Sequence, residues 1–315
     1  MDIIQKHSIA ILIPYFGKWP EWVELFFDSI EKNSTIDFHF LTDCDTSISN
    51  AKNNFFHTMT FNDYVDNAKQ HLSLPINIPN AYKICDLRPT FGLIHYDIIK
   101  SYDFYGWADI DLLFGDIRSF YTPEILDNHE VFSAHNDRIS GHFALFKNSL
   151  ENRMQYLKIY KWQEALENPN FVGIDEHGIT NAYTMTVFDK INEKFKINFN
   201  NFLTQIFSKS KRKKLYMVEQ YTTPFTPIPW LDGTLNSEQP STWFYDQGKV
   251  TNDRDNRDFI YLHFMNFKSS QWRHDGTKAP WEGLSKIYHI DNNSLSKKIK
   301  ISPKGIYKLE DDGRK

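Results

Sequence analysis

Two apolar strand-like segments with a helix between them open the chain and constrain its fold most strongly. Residues 9–13 form a continuous, mostly β-branched run that ends at Pro14, as a buried strand would. Pro20 suits the first turn of a helix, and an apolar stripe follows it at helical spacing. Residues 38–41 predict a second strand. A strand, a helix and a second strand joined by short loops form a βαβ unit, which predicts a parallel sheet.

The rest of the chain continues this alternation as far as about residue 270. Short apolar runs typical of strands occupy residues 104–107, 131–134, 143–146 and 261–264. Helical spacing occupies residues 91–100 and 154–166. The polar or proline-rich residues 50–82 and 221–250 predict irregular connections, and the charged residues 291–315 predict a tail or a final helix. We therefore expect an α/β fold, with a mixed, mainly parallel sheet flanked by helices, in one domain over residues 1–290.

Composition narrows the class of protein. The 315 residues are 41% hydrophobic and 16% aromatic, which supports a packed core and argues against disorder. The net charge of −4 gives no general reason to expect nucleic acid as a partner. The two cysteines, Cys44 and Cys85, have no metal-binding spacing and suit reduced thiols, although a single bridge between them stays open. With neither a signal peptide nor a membrane-spanning apolar stretch, we expect a cytoplasmic protein.

Two carboxylates directly follow an aromatic strand. Asp109 and Asp111 are two positions apart, so in extended backbone both side chains point the same way. Apolar neighbours on both sides make unpaired carboxylates costly unless they bind a cation. Oxygen ligands at the carboxyl end of a strand suit Mg²⁺ or Mn²⁺ shared with substrate phosphates. Other Asp-x-Asp pairs, such as Asp253 with Asp255, lack this context and are attributed to chance.

Five further motifs surround this pair in a fixed order. They are Ile-Ala-Ile-Leu-Ile-Pro-Tyr-Phe-Gly at 9–17, Tyr-Lys-Ile-Cys-Asp-Leu-Arg-Pro at 82–89, Ser-Gly-His-Phe-Ala-Leu-Phe at 140–146, Gly-Ile-Asp-Glu-His-Gly-Ile-Thr-Asn at 173–181 and Tyr-Leu-His-Phe-Met-Asn-Phe-Lys at 261–268. With Trp-Ala-Asp-Ile-Asp at 107–111, they resemble bacterial glycosyltransferases of the GT-A fold that act in lipopolysaccharide and capsule assembly. The likeness covers roughly residues 8–270 and is nearest to the retaining family 8 type.

The resemblance implies a nucleotide-binding half over residues 1–115 and an acceptor or closing half over 116–290. Pro14, Tyr15 and Phe16 correspond to the strand and loop that hold the nucleotide base and ribose in such enzymes. Arg88 corresponds to a basic residue that reaches the donor, and Asp86 is a weaker candidate of the same kind.

The motifs at 140–146 and 173–181 imply the sugar pocket and the reacting acid, respectively. Gly141 would allow close approach of a ligand in the glycine-led strand that lines the pocket, and His142 is a candidate beside it. Asp175 and Glu176 occupy the acidic segment that faces donor and acceptor sugars. Family 8 enzymes have Asp-Gln-Asp, two residues and Asn there, and this sequence departs from that pattern. Asp175 is favoured, with Glu176 in reserve.

The last motif implies the rest of the metal site. In family 8 enzymes a late histidine completes the metal site and a downstream lysine contacts the diphosphate. Here these are His263 and Lys268, although their spacing is one residue shorter and the usual glycine between them is absent. We therefore expect Mn²⁺, or Mg²⁺, bound by Asp109, Asp111 and His263, with a nucleotide sugar as co-substrate.

The resemblance also implies the substrates. The expected reaction transfers a hexose from UDP-galactose, or next from UDP-glucose, to lipopolysaccharide, O-antigen or capsule. We favour retention of the anomeric configuration, because the motif with His263 and Lys268 resembles the corresponding motif of retaining enzymes. The alternative is an inverting transferase with Asp175 or Glu176 as the base.

A basic cluster follows an apolar helical stripe within residues 202–214. Phe202, Leu203, Ile206 and Phe207 precede Lys209, Lys211, Arg212, Lys213 and Lys214. This pattern suits peripheral docking on an anionic membrane surface, where a lipid-linked glycan acceptor would lie. A packed helix followed by a solvated loop is equally consistent with it, and a nucleic-acid patch fits the acidic chain less well.

Two other classes of protein compete with this interpretation. A sugar-phosphate nucleotidyltransferase would need a glycine-rich phosphate loop, which Pro-Tyr-Phe-Gly at 14–17 does not provide. A non-enzymatic carbohydrate-binding protein would suit the eight Trp and 16 Tyr but gives no reason for a buried acidic pair.

Overall fold

The computed structural model describes residues 7–185, 214–224, 239–265, 298–302 and 305–308. The strands within these residues are β1 (Ile9–Tyr15), β2 (Asp37–Thr42), β3 (Asn54–Thr58), β4 (Phe104–Ala108), β5 (Leu112–Phe114), β6 (Val131–Ser133), β7 (Phe143–Lys147), β8 (Leu215–Met217), β9 (Trp243–Asp246), β10 (Lys249–Asn252), β11 (Tyr261–His263), β12 (Ile299–Ser302) and β13 (Gly305–Lys308). The α-helices are α1 (Val23–Glu31), α2 (Phe61–Leu72), α3 (Phe91–Ile94), α4 (Tyr96–Ile99), α5 (Ile117–Phe120), α6 (Pro123–Asn128), α7 (Leu150–Arg153), α8 (Trp162–Glu167) and α9 (Ile179–Thr184). The 3₁₀ turns are Thr46–Ile48, Ala81–Thr90 and Gln155–Lys158, and Ile174–Gly178 forms a π-helical turn.

A seven-stranded sheet in the order β3-β2-β1-β4-β7-β6-β8 forms the centre of the fold. Strands β1, β2, β3 and β4 are mutually parallel, β6 pairs with β8 in parallel, and β7 runs antiparallel to both of its neighbours. The expected α/β fold with a mixed, mainly parallel sheet flanked by helices is confirmed. Two smaller sheets join β10-β9-β12-β13 and β11-β5.

Strand β1 is apolar throughout because both faces of the sheet are covered. Ile9, Ile11 and Ile13 pack in one core cluster with α1, whereas Ala10 and Leu12 pack in another with α2 and the 3₁₀ helix. All five side chains are buried. The predicted βαβ unit is therefore present, and alternate residues of its first strand face different helices.

The first helix begins later than predicted. Pro20 is not its first residue, because the Pro20 carbonyl accepts from the Val23 amide in a preceding turn and Trp22 is the N-cap residue. The Trp22 indole donates to the Ile110 carbonyl at 3.0 Å, which ties this turn to the loop between the two aspartates.

Residues 50–82 are more regular than predicted, since they contain β3 and α2. Helix α2 begins with a capping box, in which the Asp63 amide donates to Thr60 Oγ1 and the Thr60 amide donates to Asp63 Oδ2. Its buried stripe is Tyr64, Val65, Ala68 and Leu72. The polar remainder of the helix faces solvent, which explains why composition alone predicted a loop.

Three later predictions were also wrong in part. Residues 154–166 are not one helix, because Ile159 is extended and Lys161 has a φ of 55°, which separates a 3₁₀ turn from α8. Residues 221–250 include β9 and the start of β10. Residues 291–315 were expected to form a tail or final helix, but β12 and β13 lie there and bury Ile299, Ile301 and Ile306. The domain limits at 115 and 290 stay predictions.

No helix among the described residues is long and apolar enough to cross a bilayer. Residues 202–213 of the predicted membrane-docking segment, and Lys268, lie outside the described residues. Lys214 is described, and its ammonium pairs with Glu130 at 3.1 Å and Glu151 at 3.6 Å. Both cysteines are free thiols.

A chain of hydrogen bonds crosses the edge of the central sheet between β2 and β3. Tyr102 Oη donates to Asp37 Oδ2 at 2.8 Å, so His39 Nε2 must donate to Tyr102 Oη. His39 Nδ1 is then the acceptor for His57 Nε2 at 3.0 Å. Burial, and then His57, lowers the pKa of His39 from 6.5 to about 4. Protonation of His39 would turn its Nδ1 from an acceptor into a donor, so this arrangement of the hydrogen bonds requires a neutral His39.

We expect the stability of the fold to fall as the pH falls from 6.5 towards 4. The unfolded His39 binds a proton in that window and the folded one does not, which costs about 2 kcal/mol at pH 5. Urea denaturation at pH 7.5 and pH 5 measures this loss of folding stability. His39→Phe should lose that part of the pH dependence, whereas the exposed control His71→Gln should retain it. An unchanged pH dependence in His39→Phe would contradict the assignment.

Candidate functional site

The predicted site residues meet at the carboxyl ends of the parallel strands β1 and β4, in the middle of the central sheet. Strands β1 and β4 are adjacent and parallel, although β2 and β3 lie on the other side of β1. The strand order therefore reverses between β1 and β4, and ligands of open α/β sheets bind in the crevice at such a point. Tyr15 ends β1 and Asp109 directly follows β4. Because β7 is antiparallel to β4, it starts at this end of the sheet, and Gly141 and His142, which precede it, lie there too.

Asp109, Asp111 and His263 form a group that could hold a metal ion. One ligand atom from each lies within 4.8 Å of the others. Strand pairing creates this arrangement, because β11 runs antiparallel to β5 with His263 opposite Leu112, next to Asp111. The Phe264 amide also donates to the Asp111 carbonyl at 3.2 Å. The structure thus brings the three predicted ligands together from distant parts of the sequence.

The surroundings of His263 suit a metal ligand. Its ring is buried, and Nδ1 lies 3.3 Å from Thr223 Oγ1. A proton on Nδ1, donated to that hydroxyl, leaves the Nε2 lone pair on the side of Asp111, whose Oδ1 is 3.6 Å away. Metal-binding histidines are commonly oriented by such a hydrogen bond. Two carboxylates and one imidazole form a donor set that a divalent metal ion could use.

His142 supports His263 rather than lining an open pocket. Its ring centroid is 3.9 Å from that of His263, and Nε2 lies 2.9 Å from the Tyr261 hydroxyl. Burial, and then the neighbouring His263, lowers the pKa of His142 well below its usual value. A buried, neutral His142 packs against the His263 ring and holds its plane, and its predicted contact with the donor stays a prediction.

Arg88 links the metal group to the acidic segment. Its Nη2 donates to Asp109, and its Nη1 donates to Asp175 Oδ2 at 2.9 Å and to the Gly141 carbonyl at 2.5 Å. The guanidinium is almost fully buried. The guanidinium presents its donors in a rigid planar fork, so two separate nitrogens contact the two carboxylates at once. One buried cation therefore separates and orients Asp109 and Asp175.

The two acidic candidates differ in exposure and in hydrogen-bond partners. Burial raises the pKa of Asp175 to about 7, although the Arg88 guanidinium lowers it. Among the described residues, no donor reaches Asp175 Oδ1, which is fully buried. Glu176 is half-buried, accepts from the Gly141 amide at 3.0 Å, and lies 3.7 Å from Arg138. A carboxylate with a pKa near neutrality beside an arginine suits proton transfer or substrate orientation.

Gly141 is required by this packing. A Cβ at this position would lie 2.9 Å from Asp175 Oδ2 and 2.9 Å from Glu176 Cγ. The predicted close approach at Gly141 is therefore made by the protein's own carboxylates. This replaces the expectation that a ligand approaches the glycine directly.

Asp86 was predicted to contact the donor, and the structure gives it another role. It has no exposed surface and accepts from Lys83 Nζ at 2.7 Å. It also accepts from the backbone amides of Val172, Gly173 and Ile174. Asp86 therefore anchors the loop that leads to Asp175, and its carboxylate has no surface left for a donor.

The residues predicted to hold the nucleotide are half-buried at the carboxyl end of β1. Burial, and then the neighbouring Cys44 and Asp111, raises the pKa of Tyr15, whose hydroxyl donates to the Lys18 carbonyl at 3.0 Å. The Tyr15 ring stacks on Trp19 at 5.1 Å. Phe16 packs edge-on against Phe61 instead. Pro14, Tyr15 and Phe16 thus lie at the carboxyl end of β1, and their contact with a nucleotide stays a prediction.

Sequence reasoning missed two residues that position the site. Lys83 holds Asp86, and their spacing of three residues on one helix is a visible signal of an ion pair. Thr223 orients His263, and no local pattern marks it, because the contact depends on a distant backbone hydrogen bond from the His263 amide to the Thr222 carbonyl at 2.9 Å.

The chain belongs to a family described as "Family of unknown function (DUF6625)", whose model matches residues 11–309. Similar solved structures include the galactosyltransferase LgtC with donor and acceptor sugar analogs, at 13% identity and a TM-score of 0.36, covering 55% of this chain and 69% of that chain. Mouse xyloside xylosyltransferase 1 aligns at 10% identity and 0.35, covering 71% and 89%. The glycosyltransferase GlyE of Streptococcus pneumoniae TIGR4 aligns at 10% and 0.28, covering 69% and 46%. A search of curated proteins gave no significant match. These likenesses are distant, so the activity has to be inferred from the site.

Proposed function

We propose that the protein is a metal-dependent glycosyltransferase of the GT-A type, which transfers a hexose from a nucleoside diphosphate sugar. The observation that carries this proposal is the group formed by Asp109, Asp111 and His263 beside the Arg88–Asp175 pair. A cation site and a buried acid within reach of one arginine are the parts that such a transfer needs. Their position in the crevice between β1 and β4 suits a nucleotide ligand.

The donor half of the reaction requires stabilisation of a leaving group. Cleavage of the bond between the anomeric carbon and the phosphate oxygen leaves negative charge on the diphosphate. A divalent ion bound at Asp109, Asp111 and His263 would offset that charge. Arg88 holds Asp109 in place, and Lys268 is proposed to contact the diphosphate as the sequence motif implies.

The acceptor half of the reaction needs a destination for one proton. The acceptor hydroxyl forms a bond to the anomeric carbon and loses its proton. In an inverting reaction Asp175 or Glu176 would take the proton. In a retaining reaction the leaving phosphate takes it, and Asp175 orients the sugars. We favour retention on the family 8-like ending of the sequence, and NMR of the product's anomeric configuration would decide.

The substrates are proposed on the sequence motifs. The donor is UDP-galactose, or next UDP-glucose, and the acceptor is a glycan of lipopolysaccharide, O-antigen or capsule. This would place the enzyme in the cytoplasm, at the inner face of the membrane if residues 202–214 dock there.

We expect UDP with Mn²⁺ to stabilise the wild-type protein against heat. At a hundredfold excess over Kd, binding adds about 2.7 kcal/mol, or roughly 5 °C in Tm. Asp111→Asn should lose this shift, because it removes one charged ligand. The exposed Asp253→Asn, a change in an Asp-x-Asp pair outside the site, is the matched control and should keep it. A carbohydrate-binding protein without a metal site would show no Mn²⁺-dependent shift in any variant.

A further inference from the structure

Two aromatic side chains are exposed next to the candidate site. Tyr82 is 53% exposed and Phe171 is 39% exposed, although both belong to residue types that usually bury. Their ring centroids are 5.0 Å apart with the rings at 62°, and the exposed Val172 follows Phe171. Contiguous apolar surface of this kind commonly marks a binding site.

The same scaffold carries these rings and the charged residues of the site. Tyr82 lies in the 3₁₀ helix that contains Arg88, and Phe171 lies in the loop that leads to Asp175. The buried Lys83–Asp86 pair joins the two segments. Lys83 Nζ donates to the Asn170 carbonyl at 2.7 Å, while Asp86 accepts from the Val172 amide at 2.8 Å. The rings are therefore fixed relative to Arg88 and Asp175.

Tyr82 is a neutral phenol in the same 3₁₀ helix as Arg88. Burial of part of its ring, and then the neighbouring Cys85, Asp109 and Asp175, raises the pKa of Tyr82 to about 12. Burial also raises the pKa of the Cys85 thiol, which stays neutral, so the aspartates supply the charge that acts on the tyrosine. The Tyr82 hydroxyl therefore remains a hydrogen-bond donor at the rim of the site.

We infer that Tyr82 and Phe171 form a platform on which the pyranose ring of the acceptor sugar stacks. This inference rests on the proposed function. A pyranose has an apolar C–H face and a rim of hydroxyls, which fits aromatic rings bordered by a phenol and carboxylates. Phe171 lies four residues before Asp175, in the loop that Asp86 anchors. The nucleotide-binding candidates lie at the carboxyl end of β1, in a different segment, so the platform suits the acceptor rather than the donor base.

Saturation-transfer NMR tests the platform with methyl β-D-galactopyranoside, methyl β-D-glucopyranoside and lactose, with and without UDP and Mn²⁺. We expect at least one glycoside to bind the wild type. Tyr82→Ala and Phe171→Ala should each weaken its binding about tenfold, which corresponds to about 1.4 kcal/mol, because each removes an aromatic contact with the sugar. Tyr82→Phe keeps the ring and should stay within about threefold of the wild type.

The matched control is Tyr96→Ala. Tyr96 is a 44% exposed tyrosine on α4, which leads into the opposite end of β4 from the site. The Tyr96→Ala variant should bind the glycosides as tightly as the wild type does. Circular dichroism confirms folding of each variant. If Tyr82→Ala does not fold, Phe171→Ala decides, because its ring is in a different segment.

The inference is overturned if no glycoside binds the wild type, or if both alanine variants bind as tightly as Tyr96→Ala. It is also overturned if both alanine variants dissociate a dimer in sedimentation while glycoside binding persists, because a second copy of the chain would then cover the rings. Failure of nucleotide-sugar turnover with ring-dependent glycoside binding would remove the proposed reaction and keep the sugar platform.

Discussion

Replacement of Arg88 with methionine should lower the rate of nucleotide-sugar cleavage by about 10³-fold. Removal of one pre-positioned charged group from an active site typically costs 10²–10³ in kcat. Arg88 holds two carboxylates at once, Asp109 on the metal side and Asp175 on the acidic segment, so its loss disturbs both. Methionine fills much of the same volume, which limits the effect of lost packing.

The effect should fall mainly on kcat, because Arg88 orients Asp109 and Asp175 and is itself almost fully buried. Arg88→Lys should recover little, since an ammonium lacks the planar fork that reaches both carboxylates. The control is Arg118→Met. Arg118 donates to the carbonyls of His7 and Thr35 at the other end of the sheet, so this variant should keep its turnover. Equal rates in Arg88→Met and Arg118→Met would contradict the proposed role.

Replacement of Lys83 with methionine should cost about 3–5 kcal/mol of the free energy of unfolding. The Lys83 and Asp86 side chains are 1% and 0% exposed, and the ammonium directs all three of its protons to protein oxygens. Methionine would leave Asp86 as a buried charge without its cation, together with the unpaired carbonyls of Ala165 and Asn170. Chemical denaturation followed by circular dichroism measures the change.

The matched control for Lys83→Met is Lys161→Met. Lys161 pairs with Glu164 at the same distance of 2.7 Å and the same spacing of three residues, but the side chains are 51% and 64% exposed. An exposed pair contributes little, so the denaturation midpoint of this variant should not change. Similar midpoints for the two variants would show that burial of the Lys83–Asp86 pair does not matter.

The parts of the fold with a strong periodic pattern were predictable from the sequence. Strands β1 and β4 are apolar because they are buried on both faces, and the motif after β4 predicted Asp109 at the carboxyl end of a strand. The candidate metal ligands Asp111 and His263 were predicted from motifs, and the pairing of β5 with β11 brings them together. The apolar pattern of the sequence identifies the strands, but only the tertiary structure determines which strands pair and which side chains they bring into contact.

The elements that were missed bury only a narrow face. Helix α2 is polar apart from one stripe, and its clearest signal was the Thr60–Asp63 capping box. Strand β12 alternates Ile299, Lys300, Ile301 and Ser302, a strand pattern hidden within a charged stretch. The role of Asp86 was misassigned because one motif cannot distinguish a carboxylate that faces a ligand from one that anchors a backbone loop.

The most direct test of the proposed transferase is release of nucleotide from a panel of UDP- and GDP-hexoses. The reactions are run with Mn²⁺ or with EDTA, and chromatography measures the nucleotide released. The wild type is expected to release UDP from UDP-galactose or UDP-glucose only when Mn²⁺ is present. Asp111→Asn is expected to be at least about 100-fold slower, and Asp253→Asn unchanged. Release of no nucleotide from any donor would contradict the activity, and an equal rate in Asp111→Asn would contradict the metal site.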